Sequence, residues 1–188
     1  VLLGDGTGNF ARSVDYPSGI RPFAVAAGDL NADGVPDVVV ANETNLGKNT
    51  HGTATIFLGA TTGVLRRHSV LNAGIFPSDV QIADLNNDSF LDIAVANWGS
   101  NNASIFFGTG TGVFLTTITV DFDVKSPFSI TLADLNHDGK RDLLLPDMSF
   151  PYSGIQLGDG KGGFRAAPGV PTEEGCRSLA VADFNGDG

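Results

Sequence analysis

Short apolar runs alternate with acidic and glycine-rich turns along the whole 188-residue chain. The runs are rich in Val, Ile, Leu, Phe and Ala, and no helical spacing of apolar positions flanks the turns. Short runs bounded by Asp, Asn and Gly are typical of β-strands. The pattern returns roughly every 50 residues, which indicates one supersecondary unit stacked several times. The sequence therefore predicts an all-β repeat fold.

Each repeat unit contains four predicted strands. In the central unit these are Val80–Ala83, Ile93–Ala96, Ser104–Phe107 and Leu115–Val120. The second strand is apolar on both faces, as expected for a strand buried between two sheets. The corresponding strands of the other units are predicted at residues 1–3, 24–27, 38–41, 55–58, 66–71, 130–133, 143–145, 155–157, 165–167 and 179–182.

Four antiparallel strands per unit, stacked radially, are the arrangement of a β-propeller blade. The predicted fold class is thus an all-β propeller of four-stranded antiparallel blades, here partial, with about three and a half to four blades. We expect a single repeat region that is a fragment of a longer chain. Its parts are the last half of a blade (1–22), three blades (23–71, 78–120 and 127–167) and the start of the next (178–188). The remaining blades would come from the parent chain or from another copy.

An acidic nine-residue loop follows the first strand of each unit. Oxygen-bearing side chains occupy its first, third, fifth and ninth positions, as in Asp29, Asn31, Asp33 and Asp37. Calcium takes about six to eight oxygens, some of them backbone carbonyls, and a carbonyl suits the variable seventh position, Val35. The other predicted ligands are Asp84, Asn86, Asp88, Phe90, Asp92, Asp134, Asn136, Asp138, Lys140, Asp142, Asp183, Asn185 and Asp187. The sequence thus predicts Ca²⁺ in three complete loops and a fourth, truncated one.

Several details qualify the calcium prediction. The loop closes with Asp four residues after the third ligand, which disfavours the EF-hand, where Glu closes the loop later. Ser89 replaces the glycine found in the other loops, so we expect the second loop to be strained and weaker. The alternative is that Asp, Asn and Gly here form ordinary turns.

The loops hold 11 of the 21 acidic residues, so the net charge of −10 is mostly ligand charge. The 11 Lys and Arg are scattered, which argues against nucleic-acid binding.

A glycine-rich turn lies between the third and fourth predicted strands. It is Leu3–Phe10 in the first copy, Phe107–Phe114 and Leu157–Phe164 in later ones, and Leu58–Leu65 is a degenerate copy. No Gly-Lys-Ser/Thr ending and no helical pattern follow, which disfavours a phosphate-binding loop. These segments are predicted to be hairpin turns.

The two interleaved motifs resemble the FG-GAP and VCBS repeat family, found in integrin α-subunit propellers and many bacterial surface proteins. The segment from Val95 to Gly108 is especially similar to the VCBS style. The resemblance implies that the acidic loop joins strands one and two of a blade and binds calcium through the residues named above. It also implies a closed propeller of about seven blades in the parent protein.

Candidate ligand-binding residues lie where the repeats differ. The connections opposite the acidic loops vary in length and sequence, and variable loops on a rigid scaffold are common binding sites. Trp98, Phe150 and Tyr152 lie in these connections and could contact a protein or glycan partner, although local packing is the simpler explanation for each. The single cysteine, Cys176, excludes an internal disulfide.

Three functions are compatible with this sequence. The first is a calcium-binding extracellular propeller that serves as an adhesion or protein-interaction scaffold. The second is a carbohydrate-binding, lectin-like propeller, and the third is a structural spacer or assembly unit of a large surface protein. Loops of this kind bind calcium weakly and fill outside the cell, which favours an extracellular location. No apolar run is long enough to span a membrane. No histidine lies in a repeated motif that could carry catalysis, and His137 occupies a non-ligand position of the third acidic loop, so we expect no enzyme activity.

Overall fold

The computed structural model describes residues 1–10, 13–43 and 50–186. Within these ranges the regular structure consists of β-strands. The strands are β1 Pro22–Gly28, β2 Asp37–Asn42, β3 His51–Gly59, β4 Leu65–Ile75, β5 Pro77–Ala83, β6 Asp92–Asn97, β7 Asn102–Gly108, β8 Phe114–Asp121, β9 Thr131–Ala133, β10 Asp142–Pro146, β11 Ser153–Gly158 and β12 Phe164–Ala167. No helix in the described residues is both long and apolar enough to cross a membrane.

The strands form three antiparallel sheets of four, each in sequence order: β1 to β4, β5 to β8 and β9 to β12. We call these sheets blades 1, 2 and 3. The second strand of each blade pairs on both sides; in blade 2, Val95 lies opposite Val80 on β5 and Ser104 on β7. Consecutive strands joined by turns are the meander expected of a propeller blade. The predicted all-β fold class is confirmed.

The hydrophobic core lies between the blades. Strand β6 is buried along its whole length, and its side chains alternate between two clusters. Ile93 and Val95 pack towards blade 1, whereas Ala94 and Ala96 pack towards blade 3. This division follows from the two-residue period of a strand, which sends successive side chains to opposite faces. The absence of any polar residue between Ile93 and Ala96 is therefore explained by burial on both sides.

Two predicted strands do not form in the described part of the chain. Near residues 1–3, Gly4 pairs with Phe10 in an isolated bridge, and Val1 exchanges two backbone hydrogen bonds with Val14. Residues 179–182 lie beside β9, where the Thr131 hydroxyl donates to the Leu179 carbonyl at 2.8 Å. Strands one and three both pair with strand two in blades 1 to 3. The described residues supply no strand two for either segment, so neither ladder forms.

One predicted connection between blades is also shorter than expected. The predicted blades 23–71 and 78–120 leave residues 72–77 as the connection, but β4 continues to Ile75 and β5 begins at Pro77. Phe76 alone joins the two strands, with a left-handed φ of 52°. Arg21 precedes Pro22 at the start of β1, Ser126 precedes Pro127 in the segment that leads to β9, and both also have positive φ. A left-handed residue followed by proline therefore precedes the first strand of each blade.

Candidate functional site

Each acidic loop joins the first two strands of its blade. Asp29 follows the end of β1 at Gly28, and Asp37 is the first residue of β2. The second and third loops lie in the same place, between β5 and β6 and between β9 and β10. The predicted position of the loops within the blade is therefore observed in all three blades.

The loops fold around their own carboxylates. In the first loop, Asp29 Oδ1 accepts a hydrogen bond from Asp33 N at 3.1 Å, and Asp29 Oδ2 accepts one from Gly34 N at 2.7 Å. Asp33 Oδ1 in turn accepts Val35 N at 2.8 Å. The same bonds recur in the second and third loops. These contacts turn the backbone back on itself, which brings the first, third and fifth residues to one side.

Two residues of each loop adopt left-handed backbone conformations. In the second loop these are Asn87 and Ser89, with φ of 59° and 71°. A positive φ costs a residue with a side chain about 1–2 kcal/mol relative to glycine, so the strain predicted at Ser89 is present. The other left-handed position, occupied by Ala32 and His137 in the neighbouring loops, was not foreseen because no glycine marks it.

The donor types in each loop match those that calcium takes: three carboxylates, an amide oxygen and a backbone carbonyl. Their arrangement is less complete. Among the described residues no three His, Cys, Asp or Glu side chains converge as they would around a metal ion. The closing aspartates, Asp37, Asp92 and Asp142, are fully buried at the start of strand two, where they accept backbone hydrogen bonds.

The fourth loop can be followed as far as residue 186. Asp183 Oδ1 accepts hydrogen bonds from Asn185 N at 3.2 Å and from Gly186 N at 2.7 Å, which begins the same fold as in the other loops. The predicted ligand Asp187 lies outside the described residues.

Electrostatic interactions distinguish the second and third loops. Burial, opposed by two backbone N–H groups and reinforced by the nearby carboxylates of Asp88 and Asp84, raises the pKa of Asp92 to about 6. In the third loop, Lys140 Nζ lies 3.1 Å from Asp138 Oδ2. That hydrogen bond holds the pKa of Asp138 below its usual value. An ammonium group therefore already faces one predicted ligand carboxylate.

The connections at the opposite rim carry the predicted aromatic residues. Trp98 is 40% exposed and follows β6 directly. The backbone N–H of Trp98 donates to the Phe76 carbonyl at 2.9 Å, and the backbone N–H of Gly99 donates to the Ile75 carbonyl at 2.9 Å. The Trp98 ring also packs on the Phe76 ring, with centroids 5.8 Å apart. These contacts hold the short loop against the corner between blades, and the Trp98 indole is partly exposed to solvent.

A second aromatic group lies on the next blade. Phe150 is 42% exposed and stacks on Tyr152 with centroids 6.1 Å apart. Lys125 Nζ lies 5.3 Å from the centre of the Phe150 ring, a cation–π contact. The Tyr152 hydroxyl donates to the Asp123 carbonyl at 2.8 Å, which fixes the ring. Both predicted aromatics therefore form part of one ordered surface.

The two aromatic groups belong to neighbouring connections. Ser126 N donates to Asn101 Oδ1 at 2.8 Å, and this bond joins the loop that holds Trp98 to the segment that holds Lys125. We call the surface formed by Phe76, Trp98, Lys125, Phe150 and Tyr152 the aromatic rim. It lies at the opposite end of the strands from the acidic loops and glycine turns.

A third aromatic contact was missed in the sequence. Phe23 of blade 1 and Phe128 beside blade 3 meet edge to face at 5.4 Å, and the hydroxyl of Ser78 in blade 2 donates to the carbonyl of the residue before Phe128. Arg177 lies over the Phe128 ring at 5.4 Å. These four residues occupy the same position in successive repeats, six residues before each acidic loop. Aligning the repeats would have revealed that shared position but not the contact.

The comparisons with known proteins concern the repeats. A family model described as an FG-GAP-like repeat matches residues 1–40 and 84–145, more than half of the chain. The matched ranges include the acidic loops of blades 1, 2 and 3 and the first glycine turn. No curated protein matches the chain. Together with the three four-stranded antiparallel sheets, the match shows that the chain belongs to the FG-GAP-like repeat family.

Proposed function

We propose that this chain is a calcium-stabilised propeller segment of an extracellular or surface protein that binds a protein partner through the aromatic rim. The family consists of non-enzymatic propeller repeats that generally mediate protein interactions and occur in extracellular and surface proteins. The calcium, the location and the binding surface go beyond what the family establishes and are the content of the proposal.

One observation carries the choice of surface. Trp98 and Phe150 are large, exposed aromatic side chains on loops whose backbones donate hydrogen bonds to the adjoining blade connections, through Trp98 N and Met148 N. Exposed aromatics that are already ordered lose little conformational freedom on binding, and such residues dominate many protein interfaces. The acidic loops and three of the four glycine turns, in contrast, are similar between repeats, as expected for parts that maintain the blade.

The binding proposal is tested by substituting the rim. The double variant Trp98→Ala/Phe150→Ala and wild type would be compared by surface plasmon resonance against purified matrix and cell-surface proteins in calcium. We expect the variant to bind at least about tenfold more weakly, because truncating a central aromatic commonly costs more than about 1.4 kcal/mol. Leu115→Ala on β8 is the matched control, since Leu115 is exposed but distant in the fold from the aromatic rim. Equal binding by both variants would instead support a spacer role.

The calcium part has its own test. Isothermal titration of wild type with calcium should give three sites, one for each of the acidic loops of blades 1 to 3. Asp33→Ala should remove one site, because its carboxylate is a predicted ligand and also holds Val35 N within the loop. A full set of sites in the variant would reject the assignment of Asp33.

A second candidate is recognition of carbohydrate by the same rim. The specific observation is the Phe150–Tyr152 stack, whose rings are inclined by 24° and offer apolar faces beside polar groups. Aromatic faces of this kind pack on the apolar faces of sugar rings. Specific spots on a glycan array that vanish with Phe150→Ala would favour this candidate over a protein partner.

A further inference from the structure

The closing aspartate of every acidic loop makes the same pair of hydrogen bonds. Asp37 Oδ2 accepts Leu30 N at 2.8 Å, and Asp37 Oδ1 accepts Gly59 N at 2.7 Å. The pair recurs at Asp92 (Leu85 N and Gly108 N, both 2.8 Å) and at Asp142 (Leu135 N at 2.8 Å and Gly158 N at 2.9 Å). All three aspartates have no exposed surface. A buried carboxylate with a partner for each oxygen is a stabilising arrangement.

The two hydrogen-bond donors come from different motifs. Leu30 is the second residue of the acidic loop, whereas Gly59 is the first glycine of the glycine-rich turn, 22 residues beyond Asp37. The approach is so close that a Cβ on Gly59 would overlap the Pro36 carbonyl oxygen, and Gly108 faces the Leu91 carbonyl in the same way. The buried carboxylate thus joins the two repeated motifs within each blade.

The residue held by the carboxylate is also the one that packs between blades. Leu30 is only 1% exposed and belongs to the core shared by blades 1 and 2. Its carbonyl accepts Gly112 N, from the glycine turn of blade 2, at 3.0 Å. Leu85 packs in the same way between blades 2 and 3. Holding the backbone of the leucine in place therefore also holds an apolar contact between two neighbouring blades. We call this boundary between blades the seam.

We propose that Asp37, Asp92 and Asp142 are latches that fasten the acidic loop to the glycine turn and hold the seam leucine in place, whether or not a cation is bound. An ionised carboxylate has about four lone-pair sites, so two N–H bonds leave capacity for a metal. The latch role is therefore independent of calcium, and either proposal can fail without the other.

The latch is tested by comparing two aspartates of the second loop in EDTA. Asp92→Asn should lower the melting temperature by roughly 5–10 °C, since one charge-assisted hydrogen bond is lost and an amide N–H₂ faces a backbone N–H. Asp88→Asn is the matched control, because Asp88 is exposed, belongs to the same loop, and accepts Phe90 N through one oxygen that the asparagine side chain retains. It should melt within about 2 °C of wild type in EDTA. Equal melting temperatures for both variants would overturn the latch.

A measurement on wild type covers the case in which Asp92→Asn does not fold. Amide hydrogen exchange would be followed at Gly59, Gly108 and Gly158, with and without calcium. The latch predicts slow exchange at all three amides in both conditions, because each donates to a buried carboxylate. Exchange in EDTA as fast as at the exposed turn residue Thr111 would overturn it. A protein that shows this protection but no calcium response would retain the latch and lose the calcium proposal.

Discussion

Among single residues, the seventh position of the acidic loop differs most between blades. Val35 and Phe90 are apolar there, whereas Lys140 forms an ion pair with Asp138 in which each side chain is about one third exposed. A pair at this exposure is screened by solvent and contributes little to the stability of the fold. An incoming calcium ion would have to displace this ammonium group from a predicted ligand.

We therefore predict that Lys140→Met strengthens calcium binding by the third loop. Removing this competing ammonium group should lower the dissociation constant roughly two- to fivefold. The site constants would be measured by calorimetric titration. Lys161→Met, in the following glycine turn, changes the net charge equally and serves as the control. Equal effects of the two substitutions would show that overall charge, and not the ion pair, sets the affinity.

A second residue-scale prediction concerns Asp79 on β5. Burial raises the pKa of Asp79, although Ile130 N and Val80 N donate to its carboxylate and oppose the shift. A raised pKa in the folded state means that the folded protein binds the proton more tightly than the unfolded chain. The stabilisation by protonated Asp79 is therefore complete below the usual pKa of about 3.8 and is lost as the pH rises through the folded-state value.

The measurable consequence is a difference between two proteins. In EDTA, the free energy of unfolding of wild type minus that of Asp79→Asn should fall as the pH rises above about 4, since Asn does not titrate. Urea denaturation at a series of pH values would supply both quantities. Subtracting the variant cancels the contributions of the other carboxylates. A difference that stays constant or rises with pH would contradict the assignment.

For the strands and turns, the first glycine of each glycine-rich turn is a steric requirement. Gly108 ends β7, donates to Asp92, and lies where a Cβ would overlap the Leu91 carbonyl oxygen. Gly139 has an unusual backbone, with φ of 80°, but a Cβ there would meet nothing within 4 Å. Substituting these two glycines therefore tests two effects separately: close packing at Gly108 and backbone conformation at Gly139.

We predict that Gly108→Ala destabilises the fold by about 3 kcal/mol or more, because rigid backbone must move to relieve the overlap. Gly139→Ala should cost only about 1–2 kcal/mol, the penalty of a left-handed alanine. Urea denaturation in EDTA would measure both values. A larger loss for Gly139→Ala would show that conformational strain matters more than the contact between strand and loop.

Considering the whole molecule, the charge of −10 is concentrated in the acidic loops, all at one end of the strands. Mutual repulsion of these carboxylates opposes folding until cations neutralise them. Three divalent ions would reduce the net charge from −10 to −4. The apolar contacts between blades would then stabilise the fold without opposition from charge repulsion in the loops.

A thermal melt should therefore respond specifically to calcium. For dissociation constants of about 0.1 mM, three sites in about 2 mM calcium stabilise the fold by about 5 kcal/mol. This corresponds to a rise of roughly 10–20 °C over the melting temperature in EDTA. Magnesium demands stricter octahedral geometry and should have a smaller effect. If calcium and magnesium raise the melting temperature equally, or if neither raises it, the loops are ordinary turns and not calcium sites.

The sequence by itself determined the strands of blades 1 to 3, the place of the acidic loop between strands one and two, and the hairpin role of the glycine turns. These features depend on local rules: the two-residue period, the breaking of strands by Asp, Asn and Gly, and the need for glycine at φ above zero. The double burial of β6 could also be predicted, because its run of apolar residues has no polar face.

Only the tertiary structure decided which partners the side chains meet. Leu30 and Phe184 occupy the same loop position, yet Leu30 is 1% exposed and Phe184 is 89% exposed. A neighbouring blade covers Leu30, and no described residue covers Phe184 to the same extent. Likewise, the motif presents Asp37 as one more ligand, whereas its burial against Gly59 N depends on a strand that is distant in sequence. Burial and long-range hydrogen bonds arise from stacked sheets, which a local pattern does not specify.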